Sequence, residues 1–225
     1  MINKWIRRKR NSLGFGVQSP NDFYFVQHVL REKLAYYGYD ALHQLMDTPT
    51  CLPHYPEKIN RLLLRLANHI QPQTIVEIGT GAGFSACAMS MGSTASECIT
   101  IDRKVDQELL EKRNILLANY PQITAINGDE LELFEHILQS KGRVDLLHVA
   151  HTPHYKEAVE RALPYIGNKA LFVIEDIDHD EAKQRWWKSL QEHIQTCICY
   201  DLKSVGLLFF DKTRYHNSYW INLRK

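Results

Sequence analysis

Apolar and polar positions change period repeatedly along this chain, and the changes mark its elements. From residue 73 onward, short apolar runs rich in β-branched residues predict strands at 74–79, 98–102, 123–127, 144–150, 170–175, 195–201 and 204–210. Between the first six, apolar residues at helical spacing predict helices near 83–91, 106–118, 129–140, 155–166 and 179–192. In the 155–166 helix Tyr155, Ala158, Val159, Ala162, Leu163 and Ile166 form the inward stripe, and Gly167 is the expected cap. Upstream, Ile59, Leu62, Leu63, Leu66, Ala67 and Ile70 repeat with a helical period that Pro72 ends. Ser19-Pro20-Asn21-Asp22 reads as a helix start, with Phe23, Val26, Val29 and Leu30 sharing one face. A short helix is expected at about 39–47.

Strands alternating with helices imply right-handed crossovers and a parallel sheet. The last two strands differ. Only Leu202 and Lys203 separate them, so they form a hairpin and the final strand runs antiparallel to its neighbour. The expected architecture is α/β, a Rossmann-like, seven-stranded, mostly parallel sheet with a C-terminal antiparallel hairpin. Helices precede it, giving an N-terminal extension or cap over 1–56 and the main domain over 57–225. The proline-rich stretch 48–56 joins them as a lid or a linker.

Ligands of such sheets gather past the carboxyl ends of the strands. After the first strand stands Glu77-Ile78-Gly79-Thr80-Gly81-Ala82-Gly83-Phe84-Ser85. Glycines let the chain turn tightly and bring a ligand against the main chain, and the following helix directs free N–H groups at it. A dinucleotide fingerprint would place its third glycine where Phe84 stands. The acid two residues before the first glycine suits an ammonium group better than a pyrophosphate. Asp102 ends the second strand, where two oxygens can accept both hydroxyls of a ribose. Asn127-Gly128-Asp129 follows the third strand and can read an adenine amino group.

These residues resemble the class I S-adenosylmethionine (SAM)-dependent methyltransferases over about 57–210, in the order E-x-G-x-G-x-G, acid after strand two, Gly-Asp after strand three and terminal hairpin. Gly14-Phe15-Gly16-Val17-Gln18-Ser19-Pro20 and Glu175-Asp176-Ile177 look like a bacterial O-methyltransferase-like subgroup. The resemblance implies SAM as cofactor. Glu77, Gly79, Thr80, Gly81, Gly83, Phe84 and Ser85 then hold its methionine end, Asp102 and Arg103 the ribose, and Gly128 and Asp129 the adenine. The implied activity is methyl transfer to a small-molecule acceptor, with O-methylation favoured.

The protein's task in that chemistry is alignment and, where needed, removal of a proton. His151, His154 and Asp176 are the candidate bases. O-methylating relatives often carry Asp-Gly and then His-x-Tyr after strand four. Here Ala150-His151 stands in place of Asp-Gly, which disfavours a divalent-metal site and leaves Glu175 and Asp176 as its only acids. His148, His151 and His154, three residues apart, are the alternative ligands for a softer metal. The same departure keeps a catalytically inactive SAM-binding protein in view.

A net charge of +1 over 225 residues, with 44% apolar and 24% charged residues, describes a globular chain without an overall pull toward nucleic acid or membrane. Lys4, Arg7, Arg8, Lys9 and Arg10, interleaved with Ile2, Trp5 and Ile6, are the exception. They are expected to form a solvated terminal helix whose Trp packs on the body. An RNA methyltransferase using them as a guide is the competing reading. Five cysteines without a CxxC pattern suggest a reducing, cytoplasmic compartment, and no apolar run is long enough to span a membrane. A homodimer is left open. Tyr36, Tyr37 and Tyr39 are expected to pack between helices, as are Trp186 and Trp187.

Overall fold

A computed structural model describes residues 4–47, 56–103, 105–193 and 195–223. The connection expected at 48–56 to act as lid or linker lies outside the described residues except for Pro56, which precedes the next helix. Contacts divide the chain into two compact units, Leu34–Tyr165 and Met1–Lys33 with Ile166–Lys225. This grouping differs from the boundary expected at residue 56, because the N-terminal helices join the C-terminal strands.

The first unit is a parallel sheet of four strands, β1 (Thr74–Ile78), β2 (Glu97–Asp102), β3 (Ile123–Asn127) and β4 (Val144–Val149). β1 lies between β2 and β4, and β3 pairs with the outer edge of β2. Ile75, Val76, Leu146, Leu147 and Val149 are fully buried, which explains why these strands read as continuous apolar runs. Helices α3 (Gly38–Met46), α4 (Glu57–Ile70), α5 (Phe84–Gly92), α6 (Gln107–Leu117), α7 (Glu130–Lys141) and α8 (Tyr155–Ala162) complete it. α4 and α5 approach so closely that a Cβ on Gly92 would lie 2.2 Å from the Leu64 carbonyl oxygen. Tyr39 is buried, stacks on Tyr36 and accepts a hydrogen bond from Arg65 at 2.6 Å, whereas Tyr37 is exposed.

The second unit carries β5 (Ile166–Glu175), β6 (Ile198–Asp201), β7 (Val205–Phe209) and β8 (Asn217–Trp220), with α9 (Glu181–Gln191) and, from the other end of the chain, α1 (Lys4–Ser12) and α2 (Pro20–Phe25). β7 is antiparallel to β6, as the short hairpin requires, and also to β5. β8, four residues pairing in parallel with β6, was not expected. It makes eight strands among the described residues, and Asn217-Ser218-Tyr219-Trp220 is too short and polar to stand out as one.

The N-terminal segment is fastened to these strands. Arg8 donates to the Asp201 carboxylate at 2.7 Å and to the carbonyls of Asp201 and Ile221. Asp22, 2% exposed, accepts from the hydroxyls of Tyr200 and Tyr219 and pairs with Arg214. Ser19 caps α2 with Pro20 in its first turn, as expected. Phe23 corrects the expected apolar face: it is exposed, and Phe25 is buried beside Val26, Val29 and Leu30. The chain passes from α2 into a π turn at Val26–Leu30, and that change of pitch shifts which side faces inward.

Gly167 is a second correction. α8 ends at Ala162, tightens into a 3-10 turn over Leu163–Tyr165 and enters β5 at Ile166. Pro164 has no N–H to continue the helical ladder, so the helix stops before a glycine cap is needed.

Candidate active site

β1 delivers Glu77 to the centre of its sheet, fully buried. A carboxylate there must be answered by donors, and three elements supply them. Ser85 on α5 donates to Oε1 at 2.5 Å, Thr100 on β2 donates to Oε2 at 2.5 Å, and Nδ1 of His148 on β4 meets Oε1 at 2.7 Å. Thr80 extends the chain to Thr100 at 2.6 Å. His148 is fully buried as well. The acid therefore joins three strands and the helix behind the turn, with both oxygens engaged inside the protein.

The turn itself leaves the sheet on left-handed glycines. Gly79 has φ +97°, and a Cβ there would meet Ala150 Cβ at 3.2 Å and the His151 nitrogen at 3.3 Å. Gly83, φ +90°, has Leu117 Cδ2 at 3.2 Å from the same added carbon. A side chain at either position would combine backbone strain with crowding. α5 begins at Phe84, immediately past Gly83, so its first N–H groups open over the turn.

Asp102 ends β2 beside this turn. Its Oδ2 accepts from the Gly81 N–H at 3.0 Å and from Arg113 Nη1 at 3.1 Å. Burial is the main influence on its carboxyl and raises its pKa, opposed by the Arg113 charge and by the N–H groups of Gly81 and Arg103. Arg113 lies on α6, wholly buried, and also donates to the Asn127 side chain at the end of β3. Its Nε has no hydrogen-bond partner among the described residues. The sequence reading passed over Arg113, although its spacing with Leu109, Leu110, Leu116 and Leu117 puts it on the inward helix face.

The Gly128-Asp129 pair is placed differently from its expected neighbours. Asp129 is exposed and caps α7, accepting from Glu132 N–H at 2.9 Å. Gly128 donates its N–H to the Asp102 carbonyl at 3.0 Å, so the two strand ends are tied by main chain. Arg103 is exposed.

After β4, Ala150 is buried and His151 exposed, while His154 begins α8 half-buried. The buried Thr152 hydroxyl fixes this loop, donating to Glu130 at 2.7 Å and accepting from the His154 N–H at 3.1 Å. Neither Thr152 nor Glu130 was singled out from sequence. The three histidines do not converge, since His148 serves Glu77 and His151 faces outward. Among the described residues, no group of three or more His, Cys, Asp and Glu side chains could hold a metal ion.

Asp176 belongs to the second unit, directly after β5, in a left-handed conformation with φ +55°. Glu175 before it is buried, and Lys183 in the first turns of α9 is buried with them in reach. Burial lowers the Lys183 pKa, and the Asp176 and Glu175 charges counter it.

The glycine turn fits the methionine end of SAM in one physical respect: its backbone can be touched where a Cβ would intrude. Asp102 fits a ribose only in part. A carboxylate offers about four acceptor positions, and main-chain and Arg113 donors already occupy several of them.

No protein-family profile matches the sequence, and no curated protein matches it. Solved structures do. The SAH-bound methyltransferase PaMTH1 of Podospora anserina superposes with a TM-score of 0.62 at 16% identity, over 79% of this chain and 88% of its own. The O-methyltransferase of Bacillus cereus in complex with SAH gives 0.59 at 15% identity, over 86% and 97%. The O-methyltransferase TomG of Streptomyces achromogenes, involved in tomaymycin synthesis and solved with SAM, gives 0.55 at 21%, over 93% and 98%. With its parallel strands, its C-terminal antiparallel strands and these likenesses together, the chain has the α/β fold of the class I SAM-dependent methyltransferases.

Proposed function

We propose that this protein transfers a methyl group from SAM to a small-molecule acceptor, most naturally to oxygen. The observation that carries the reading is the left-handed glycine turn at the end of β1, flanked by the buried Glu77 network and by Asp102 hydrogen-bonded to Gly81. The SAM and SAH complexes among the structural neighbours support it.

In this reading Glu77 shapes the turn from behind rather than binding the ammonium group itself, since both its oxygens are engaged. Gly79, Thr80, Gly81, Gly83, Phe84 and Ser85 form the methionine-side wall. Asp102 takes the ribose, with Arg113 holding its carboxylate in place, and the Gly128 and Asp129 segment borders the adenine. SAM supplies an activated methyl on a sulfonium, so the chain's own task is to align the acceptor and receive its proton. His151, His154 and Asp176 are the groups proposed for that step, each on a loop past a strand end. The four described cysteines, all free, accord with a reducing cytoplasm. Catalysis without a divalent metal is part of the reading.

One observation favours a second reading, a SAM-binding protein without turnover: the buried apolar Ala150 stands where an acid would serve the acceptor. Incubation with methyl-labelled SAM and a panel of hydroxyl-bearing small molecules separates the two. Label should appear in an acceptor and fall by about 10²–10⁴-fold in whichever of His151→Ala, His154→Ala and Asp176→Asn removes the base. Cofactor binding with no transfer to any acceptor would favour the second reading.

A further inference from the structure

The N-terminal helix does not lie as its sequence suggested. Trp5 is 63% exposed instead of packed on the body, and Ile6, Leu13 and Phe15 are 44%, 53% and 62% exposed. Arg8, Asn11 and Ser12 form the inward side of α1 and anchor it to the C-terminal strands. At 100° per residue, Trp5, Ile6, Lys9 and Arg10 then share the outward side, and Leu13 continues it past the helix end. Lys9 sits over the Trp5 ring at 5.4 Å.

The charge that α1 itself contributes has one sign. Residues 1–21 contain no acid, and the first one, Asp22, is buried under two tyrosines. Beside the apolar side chains opens a cleft of about 580 Å³ lined by Arg7, Arg10, Asn11, Phe15 and Tyr219, among others, with no carboxylate among the described residues of its lining. The Asn11 side chain is tied into the protein, donating to the Phe15 carbonyl and accepting from the Trp220 N–H. The charged groups in the described lining are the two arginines, one helical turn apart. The Arg7 guanidinium is held over the Trp220 ring at 4.0 Å, which fixes its approach.

We propose that this face docks on an anionic lipid surface, with a headgroup phosphate received in the cleft between Arg7 and Arg10. Cations that attract the headgroup layer, next to Trp, Ile, Leu and Phe side chains that enter the acyl boundary, are the combination such a surface selects. A nucleic acid would use the cations and the rings but has no use for exposed Ile6 and Leu13. The net charge of +1 also provides no longer basic track for a phosphate backbone. Docking is independent of methyl transfer and adds to it a location, the membrane surface, where an amphiphilic acceptor would concentrate.

Co-sedimentation of the full chain with phosphatidylcholine vesicles, with and without phosphatidylglycerol, tests this. The protein should pellet with the anionic vesicles and remain in solution with neutral ones, and raising salt from about 0.1 M to about 0.5 M should weaken binding. R7Q/R10Q should lose about tenfold or more in vesicle affinity, because each basic group near an anionic surface contributes roughly a factor of five. I6S/L13S should weaken it separately, and R7K/R10K should restore much of it. Melting curves confirm that each variant is folded. Equal binding to neutral vesicles, no pelleting at all, or affinity unchanged in both double variants overturns the proposal. So does glycerol phosphate binding lost in R7Q/R10Q without vesicle association, which would make the cleft a site for a free anion. Tighter binding to single-stranded RNA than to vesicles would assign the face to nucleic acid.

Discussion

The end of β1 and the end of β4 are built on opposite principles. At β1, Glu77 is fully buried, three polar side chains close around it and Thr80 backs one of them, so the network is rigid and any defect is costly. At β4, the chain leaves the sheet through a buried Ala150 and an exposed His151, fixed mainly by the Thr152 to Glu130 hydrogen bond. Binding a cofactor shared by many reactions calls for a preorganised, repeatable frame. Choosing an acceptor calls for side chains that can be exchanged without unfolding that frame. The contrast teaches that this chain concentrates its structural precision at the end of β1, which is the cofactor side under the proposed function.

Substitutions should expose the difference, in descending order of effect. Glu77→Ala leaves His148, Ser85 and Thr100 facing a buried void, and chemical denaturation should show a loss of about 3–5 kcal/mol. Gly79→Ala forces a side chain into φ +97° against Ala150. It should cost about 1–3 kcal/mol in the same measurement and also weaken SAH in calorimetry. Asp129→Ala removes the α7 cap and should cost about 1 kcal/mol, with little change in SAH affinity if capping is its main task. His151→Ala should stay within about 0.5 kcal/mol of the parent while lowering turnover, if His151 is the base. A large stability loss in His151→Ala, or a small one in Glu77→Ala, would erase the contrast.

Thiol chemistry sharpens the same point. Cys87 on α5 and Cys98 on β2 flank Glu77. Burial pushes both thiols far up, and the Glu77 charge adds to it. Because only the thiolate is nucleophilic, a raised pKa means slow alkylation near neutral pH and faster reaction as pH climbs. Both should resist iodoacetamide in the native protein and react fully in denaturant. Rapid native labelling would mean that the frame around Glu77 is loose.

Much of this was legible in the chain, and the reasons are local. Strands such as β1 and β4 were readable because Ile75, Val76, Leu146 and Leu147 are fully buried and give continuous apolar runs, and the turn was readable because the β1 run ends in glycines. β8 was not, because four residues hold it as a strand only through pairing with β6. Trp5 was misplaced because an aromatic residue beside cations carries no sequence mark of which way its helix faces. The answer lay in Arg8 bonding to Asp201, 193 residues away. The site showed the same division. Its acids and glycines stood out by spacing, while Arg113, Thr100 and His148 act through contacts between elements that only the folded chain brings together.

Binding of SAM and SAH by the purified protein tests the central claim most directly. Each should raise the melting temperature, with about 2.7 kcal/mol of added stability at one hundred times the dissociation constant, and Asp102→Asn should lower SAH affinity by about tenfold or more. Well-folded protein that shifts with neither ligand, or an Asp102→Asn variant that binds SAH as the parent does, would contradict it.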